Sequence, residues 1–192
     1  SDLVRFIDKE FSPRNNAKYH LYIGASHRIV TLRQLGNGFF QIKSHASIVA
    51  HHGDRFVVRD PASQQTIGGG QVIDIFVPRR QRTSPQRLAM LTALHQDSLP
   101  ALAALLDIQA AGVDLDQFAL CRNLSASGVA SLCGNLQEEK VSYLSLTLEG
   151  RRFPILLHDR YYRQHADQIL QHLQRYHHQH VNQQGISEPA LS

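Results

Sequence analysis

The chain has 192 residues, of which 42% are apolar and 19% charged, a balance that excludes an intrinsically disordered protein. No run of about 18 apolar residues is present, which excludes a membrane-spanning helix. The net charge of +4 is unevenly divided. Residues 1–83 carry 12 Lys and Arg against 6 Asp and Glu, a net +6, whereas residues 84–192 carry 8 against 10, a net −2. The asymmetry predicts two modules, with the basic module a candidate for contact with a polyanion.

The first half has the pattern of short β-strands. Runs of β-branched and aromatic residues alternate with Gly, Pro and Asn. Six strands are predicted: Leu3–Ile7, Tyr19–Ile23, Ile29–Arg33, Phe39–Lys43, Arg55–Arg59 and Gln71–Val77. The glycines of Ile67-Gly68-Gly69-Gly70 can bend a strand or admit a ligand closely, and we favour the bend. Strands this short, with no long helix between them, predict a small antiparallel barrel.

The second half is predicted to hold helices and a hairpin. Helices begin behind Ser84 and Ser98, the first with proline at its first helical position. The elements predicted after them are a short strand Val113–Leu115, helices Asp116–Asn123 and Ser125–Leu132, and strands Val141–Leu148 and Phe153–Leu157. Pro154 predicts an edge position for its strand. Helix, strand, helix, helix, hairpin is the order of a winged helix.

The charge of this winged helix argues against strong DNA binding. Its expected recognition helix, Ser125–Leu132, contains no Lys or Arg, although phosphate binding needs several cations. We therefore expect a packing or spacer module. Arg151 and Arg152 near the wing leave RNA contact open.

A final helix is predicted from about Asp159 to Val181. Its apolar stripe comprises Ala166, Ile169, Leu170 and Leu173, continued by Tyr176, His177 and His180. No Cys, Asp or Glu lies beside the histidines at its end, so no metal site is predicted. Cys121 and Cys133 are expected to be buried, reduced thiols of an intracellular protein.

Catalytic patterns are weak throughout the chain. The sequence contains no Gly-x-x-x-x-Gly-Lys-Ser/Thr loop for nucleotide phosphates. Ser26 and His27 are strand neighbours, whose side chains point to opposite faces, so they make no nucleophile–base pair. Asp114 and Asp116 surround a helix start, where capping is their expected role. No catalytic residue and no cofactor are predicted for this chain.

A resemblance to a known family rests on residues 53–80 above all. The segments that carry it are Gly53-Asp54-Arg55-Phe56-Val57-Val58-Arg59-Asp60 and Gln65-Thr66-Ile67-Gly68-Gly69-Gly70-Gln71-Val72. They resemble the third domain of elongation factor Tu-like GTPases, and within that group the selenocysteine-specific elongation factor of bacteria. Further similar segments are Ala25-Ser26-His27, Pro78-Arg79-Arg80 and Val113-Asp114-Leu115-Asp116-Gln117-Phe118-Ala119. The resemblance covers essentially the whole chain.

The resemblance implies a larger, cytoplasmic translation factor. The complete protein would be a GTPase, with GTP and Mg as cofactors, that delivers selenocysteyl-tRNA to the ribosome at a recoded UGA. Its GTPase domain would lie before Ser1, and further winged helices that bind a messenger RNA hairpin would lie after Ser192. This chain would be a non-catalytic part. The expected division is a barrel at 1–78, a basic linker at 79–83, a winged helix with its C-terminal helix at 84–182, and a linker at 183–192.

The resemblance also implies a set of tRNA-binding residues. In elongation factor Tu, domain three contacts the T-stem backbone of tRNA through two loops. The residues carried over are His27, Arg28, Arg33, Lys43, Arg59, Gln64 and Gln65. His27 and Arg28 are expected in one loop, with Arg59 and the two glutamines around the other. Arg59 has a structural alternative, because it could simply order the loop of neighbouring Asp60. Such contacts position the ligand without reading sequence.

Two other classes stay open at this point. One is a winged-helix transcriptional regulator with a β-barrel effector domain, which a specific duplex DNA complex would support. The other is a metal-dependent enzyme that uses the histidine-rich C-terminal helix, which stoichiometric zinc would support.

Overall fold

A computed structural model describes residues 2–7, 13–14, 17–62, 65–78 and 80–180. Six strands occupy its first part: β1 (Asp2–Ile7), β2 (Lys18–Ile23), β3 (Ser26–Gly36), β4 (Phe39–Ser44), β5 (Arg55–Arg59) and β6 (Thr66–Asp74). They close into a barrel in the order β1-β4-β3-β2-β5-β6, and every neighbouring pair is antiparallel. The predicted antiparallel barrel is confirmed.

Alternation along the strands builds the core of the barrel. On β2, Tyr19, Leu21 and Ile23 are buried, while Lys18 and Tyr22 are exposed. Since side chains of a strand alternate between its two faces, this pattern directs one face inward and leaves the other to solvent. The barrel therefore has an apolar interior and a separate, largely polar outer surface.

The glycine triplet lies inside β6, and not before the strand as predicted. A Cβ on Gly69 would lie 2.9 Å from the carbonyl oxygen of Phe56 on β5, so the glycine permits close approach of a neighbouring strand. The bulge is at Ile67, because Val58 pairs with Gly68 and Arg59 already pairs with Thr66. Since β6 ends at Asp74, the predicted extension of the strand to Val77 is wrong.

The second part contains the winged helix. Its elements are α1 (Pro85–Leu94), α2 (Ser98–Ile108), β7 (Val113–Asp114), α3 (Leu115–Arg122), α4 (Ala126–Glu138), β8 (Tyr143–Leu146), β9 (Ile155–His158) and α5 (Asp159–Gln179). Helices, strands and hairpin from α2 to β9 follow the predicted winged-helix order, which is confirmed. The side chains of Ser84, Asp114 and Ser125 accept backbone N–H groups at the starts of α1, α3 and α4.

Two local predictions about the winged helix are wrong. The helix predicted to end at Leu132 continues to Glu138, because the burial of Leu136 outweighs the low helix propensity of Gly134. The strand after Pro154 lies at the centre of the sheet, which has the order β7-β9-β8. Pro154 stands just before β9 and outside its paired residues, so no ladder N–H is required of it. Its carbonyl accepts the N–H of Leu115 at 3.3 Å.

The winged helix packs on one end of the barrel. Leu35, Phe39 and Ile73 of the barrel share a buried cluster with α1, α2, α3 and α4. Arg87 of α1 donates to Asp74 of β6 at 2.5 Å, and both side chains are only 7% exposed. The two parts therefore share a core and a buried ion pair. No helix in the described parts of the chain is both long and apolar enough to cross a bilayer.

Candidate nucleic-acid interface

Four side chains form a stacked group on the outer face of β2, β3 and β5. We call His20, Tyr22, His27 and Arg59 the outer-face cluster. The strand register creates it, because Tyr22 pairs with His27 across β2 and β3, and His20 pairs with Arg59 across β2 and β5. Directly paired residues of neighbouring strands carry their side chains on the same face. A rigid sheet, and not a loop, therefore positions the cluster.

The rings of the cluster cover one another. The ring centroid of His27 lies 4.7 Å from that of His20 and 4.7 Å from that of Tyr22, each with an interplanar angle of 20°. His20 Nδ1 and His27 Nε2 are 2.6 Å apart, a hydrogen bond in which one ring donates and the other accepts. The guanidinium carbon of Arg59 lies 5.2 Å from the centroid of Tyr22. Because the ring faces of this cluster stack on one another, a ligand would contact the polar groups at the ring edges.

The surroundings of the cluster are cationic. The exposed residues on the same outer face of β2, β3, β4 and β5 include Lys18, Arg33, Lys43 and Arg55. The outward positions of β2, β3 and β5 carry no Asp or Glu, within the strand ranges given above. Concentrated positive charge of this kind attracts a phosphate backbone, and ring N–H, hydroxyl and guanidinium groups donate to phosphate oxygens.

The predicted site residues are only partly brought together. His27 and Arg59 belong to the cluster, whereas Arg33 and Lys43 lie on the same outer face but farther along β3 and on β4. Gln65 is exposed beside the β6 bulge, where its carbonyl accepts the N–H of Asp60 at 3.0 Å. Gln64 lies outside the described residues.

Arg28 does not share a loop with His27, so that prediction is wrong. The turn between β2 and β3 contains only Gly24 and Ala25, with Gly24 at a φ of +51°. Strand β3 has already begun at Ser26, and consecutive strand residues face opposite sides. Arg28 donates to the carbonyls of His27 at 2.8 Å and Ser47 at 3.4 Å. Its guanidinium thus holds the loop after β4 and is separate from the cluster.

The alternative role for Arg59 finds no contact to support it. The Asp60 carboxylate accepts the N–H of Ala62 at 2.8 Å, which orders the loop locally. Among ion pairs between described residues, none joins Arg59 to Asp60. Arg59 is instead positioned over the ring of Tyr22.

His20 and Tyr22 are not among the site residues predicted from the sequence. Their strand reads Lys-Tyr-His-Leu-Tyr-Ile, and the alternate residues Lys18, His20 and Tyr22 form its polar face. The presence of three hydrogen-bond donor side chains on one face of a strand is the sequence feature that could have indicated a binding surface. Their relation to His27 and Arg59 depends on register between strands, which a single strand does not reveal.

The wing cations Arg151 and Arg152 are exposed, and each contacts another side chain of the winged helix. Arg151 pairs with Asp114 at 2.6 Å, and the Asp114 carboxylate also accepts the N–H groups of Asp116 and Gln117. Burial raises the pKa of Asp114, but Arg151 and these N–H groups together outweigh burial and lower it below its ordinary value. The guanidinium carbon of Arg152 lies 5.1 Å from the ring of Phe153. Helix α4 contains no Lys or Arg.

The remaining candidate groups are structural. Burial raises the pKa of the Cys121 thiol to about 11, typical of an unreactive core cysteine. The histidines of α5 do not converge on a site, and no group of three or more His, Cys, Asp or Glu among the described residues could hold a metal ion. The ring of His180 stacks on Tyr176 with centroids 4.3 Å apart.

Comparison with known proteins agrees with this architecture. Residues 7–79 match the family model described as the β-barrel domain of the selenocysteine-specific elongation factor. The selenocysteine-specific elongation factor of Escherichia coli K12 is 25% identical over 172 residues, which cover 90% of this chain and 26% of that protein. The crystal structure of a bacterial selenocysteine-specific elongation factor has the same fold, with a TM-score of 0.64 at 15% identity over 99% of this chain and 28% of that one.

The barrel of this chain thus matches the β-barrel domain family of selenocysteine-specific elongation factors. Over 90% of its length the chain is similar to part of one such factor. It spans about a quarter of the length of the relatives it matches.

Proposed function

We propose that this chain is the non-catalytic, tRNA-contacting part of a selenocysteine-specific elongation factor. In this proposal the outer-face cluster of the barrel binds the phosphate backbone of selenocysteyl-tRNA. The stacked cluster on a cationic face is the observation that supports it, because its donors are fixed before the ligand arrives. Backbone contacts of this type supply affinity and orientation, and selenocysteine itself is recognised elsewhere.

The rest of the proposal concerns the whole factor. It delivers the tRNA to the ribosome at a recoded UGA in the cytoplasm, and parts outside this chain bind GTP with Mg and the messenger RNA hairpin. The 192-residue sequence contains no phosphate loop, and we assign no nucleotide chemistry to it. The proposed division is barrel 1–78, linker 79–83, winged helix 84–182 and a second linker 183–192.

The winged helix has a spacer role in this proposal. Its recognition helix α4 carries no cation, and Arg151 is paired with Asp114. Its contacts with Leu35, Phe39 and Ile73 of the barrel are consistent with a spacer that is held in a fixed orientation relative to the barrel. No specific observation favours a transcriptional regulator or a metal-dependent enzyme.

A salt titration of RNA binding tests the barrel assignment. The 192-residue chain is titrated with selenocysteine tRNA, and with a hairpin RNA that reproduces its T-stem, at several salt concentrations. Removing one phosphate contact with Arg59→Ala is expected to weaken binding and to reduce the slope of log K against log salt by about 1. His27→Ala is expected to weaken binding as well, because it removes the centre of the stack.

Arg175→Ala provides the matched control, since it removes the same charge from an exposed position on α5. Its affinity and slope should equal those of the parent chain. Equal losses of RNA affinity for Arg59→Ala and Arg175→Ala would show that only the net charge of the chain matters, and would contradict a binding site on the barrel. A loss of RNA affinity for Arg151→Ala alone would indicate that the RNA contacts the wing and not the barrel.

A further inference from the structure

The hydrogen bond between His20 and His27 determines how many protons the outer-face cluster can offer to a ligand. His20 Nδ1 and His27 Nε2 are 2.6 Å apart, so one proton lies between these two atoms. The other two ring nitrogens, His20 Nε2 and His27 Nδ1, are the outer nitrogens of the pair. A neutral imidazole carries one proton, so the neutral pair has its second proton on one outer nitrogen and none on the other.

A phosphate backbone is poorly matched to the neutral pair. Phosphate diester oxygens accept hydrogen bonds, and a ring nitrogen without a proton can only accept as well. One added proton gives both outer nitrogens an N–H group, retains the bond between the rings and leaves the pair with a single positive charge. A second added proton would place N–H groups on both atoms of that bond and break it. The singly charged pair is therefore the state that combines the intact cluster with two outward donors.

We propose that RNA binding at the outer-face cluster is coupled to the uptake of one proton, which His20 and His27 share. This inference rests on the proposed function of the barrel. The proton comes from solvent and binds the bare outer nitrogen, while the proton between the rings stays in place. The negative charge of a phosphate backbone favours the charged pair, so the affinity for RNA rises as the pH falls through the range in which histidines titrate.

The surroundings of the pair leave the compensating negative charge to the ligand. The titratable and charged residues on the outward positions of β2, β3 and β5, and at the ends of these strands and of β4, are Lys18, Tyr22, Arg28, Arg33, His45, Asp54, Arg55, Arg59 and Asp60. The two acids of this set flank β5, and each accepts a backbone N–H of its own loop at 2.8 Å. Asp54 accepts that of His51, and Asp60 accepts that of Ala62.

Sharing of the proton limits the size of the effect. Uptake of one proton per complex changes the association constant by at most about tenfold per pH unit. Two histidines that titrate independently could take up two protons, with a change of up to about a hundredfold per pH unit. The steepest slope of log K against pH, and the number of protons taken up, therefore distinguish a shared proton from two separate ones.

Calorimetric titration of the 192-residue chain with the T-stem hairpin RNA, from about pH 8.5 to pH 6 at constant salt, tests the proposal. Repeating it in two buffers of different ionisation enthalpy counts the protons, and the parent should take up close to one at most. His27→Gln should bind with little dependence on pH, because the glutamine amide can donate to Nδ1 of a neutral His20 and leave the ring proton on Nε2. His172→Gln is the matched control, since it removes an exposed histidine of α5, and it should keep the proton uptake of the parent.

The outcomes separate this inference from the barrel assignment on which it rests. No proton uptake by a parent chain whose RNA affinity still falls with Arg59→Ala would overturn the shared proton and leave the barrel site standing. Uptake of two protons, halved in His27→Gln and in His20→Gln, would show independent histidines and would overturn it as well, as would equal losses of uptake in His27→Gln and His172→Gln. RNA affinity unchanged by both Arg59→Ala and His27→Ala would contradict the barrel site itself, and this inference with it.

Discussion

The barrel and the winged helix share a buried cluster, but Arg122 and Arg151 of the winged helix make different contacts from Arg59 of the barrel. In the winged helix, Arg122 donates to the carbonyls of Leu94 at 2.8 Å and Gln96 at 2.9 Å, and Arg151 pairs with Asp114. On the barrel, Arg59 contacts the face of Tyr22 and keeps its donors at the surface. The comparison teaches that the net charge of a module describes its surface poorly until the partners of each cation are known.

Breaking the connection between the two regions should have the largest effect. Arg87→Ala leaves the Asp74 carboxylate buried without its cation, and we expect a loss of about 3–5 kcal/mol in the free energy of unfolding. Urea unfolding followed by circular dichroism measures it. Replacing both partners, as in the double variant Arg87→Met with Asp74→Leu, should restore most of the loss. A cost below about 0.5 kcal/mol for Arg87→Ala would mean that the pair does not hold the two regions together.

A smaller effect is expected from disturbing the close approach of β5 and β6 within the barrel. Gly69→Ala would bring a Cβ to 2.9 Å from the Phe56 carbonyl oxygen, and a backbone atom inside a sheet yields little. The expected destabilisation is about 1–3 kcal/mol, measured by thermal and urea unfolding.

Gly134→Ala on α4 is the matched control for that variant, because a Cβ at Gly134 meets nothing within 4 Å. This change should stabilise the chain by about 0.5–1 kcal/mol, since alanine is the better helix former. Equal effects of the two substitutions would contradict the close approach of β5 and β6.

The smallest effect concerns pH and the contact between the regions. His52 donates its backbone N–H to the Cys121 carbonyl at 2.6 Å, and its Nδ1 lies 3.0 Å from the Ile73 carbonyl. Burial lowers the pKa of His52 below its ordinary 6.5, although the Ile73 bond acts in the opposite direction. The unfolded chain therefore binds a proton at a higher pH than the native chain does, and stability falls as the pH drops below about 6.5.

His52→Asn keeps an amide donor near the position of Nδ1 and cannot titrate. Unfolding free energies between about pH 7.5 and pH 5.5 should therefore decline less steeply for this variant than for the parent. The other histidines contribute alike to both profiles, so the difference isolates His52. Parallel profiles would show that His52 does not titrate differently in the native and unfolded chain.

The barrel was predictable because its strands carry strong local signals. Alternation in Ile29–Arg33 and the Gly36-Asn37-Gly38 turn specify strands and a hairpin without reference to the rest of the chain. Boundaries were less predictable where tertiary contacts decide them. Leu136 extends α4 through its burial, and Pro154 is tolerated beside a central strand because it stands before the first ladder bond.

The candidate site was predictable only in part. His27 and Arg59 follow from the resemblance to the elongation factor family, but Arg28 was misplaced because the β2–β3 turn is shorter than the loop assumed. His20 and Tyr22 enter the cluster through pairing between strands that are distant in sequence. Register of that kind depends on the closure of the whole barrel, so single-strand patterns could not reveal it.

Chemical-shift mapping of the 192-residue chain with the T-stem hairpin RNA tests the central claim most directly, since both regions are observed in one experiment. The account predicts shifts in the amide and side-chain resonances of His20, Tyr22, His27 and Arg59 that lessen as salt is raised. Resonances of α4 should stay unchanged. Shifts centred on α4 and on Arg151 and Arg152, with the barrel unaffected, would contradict it.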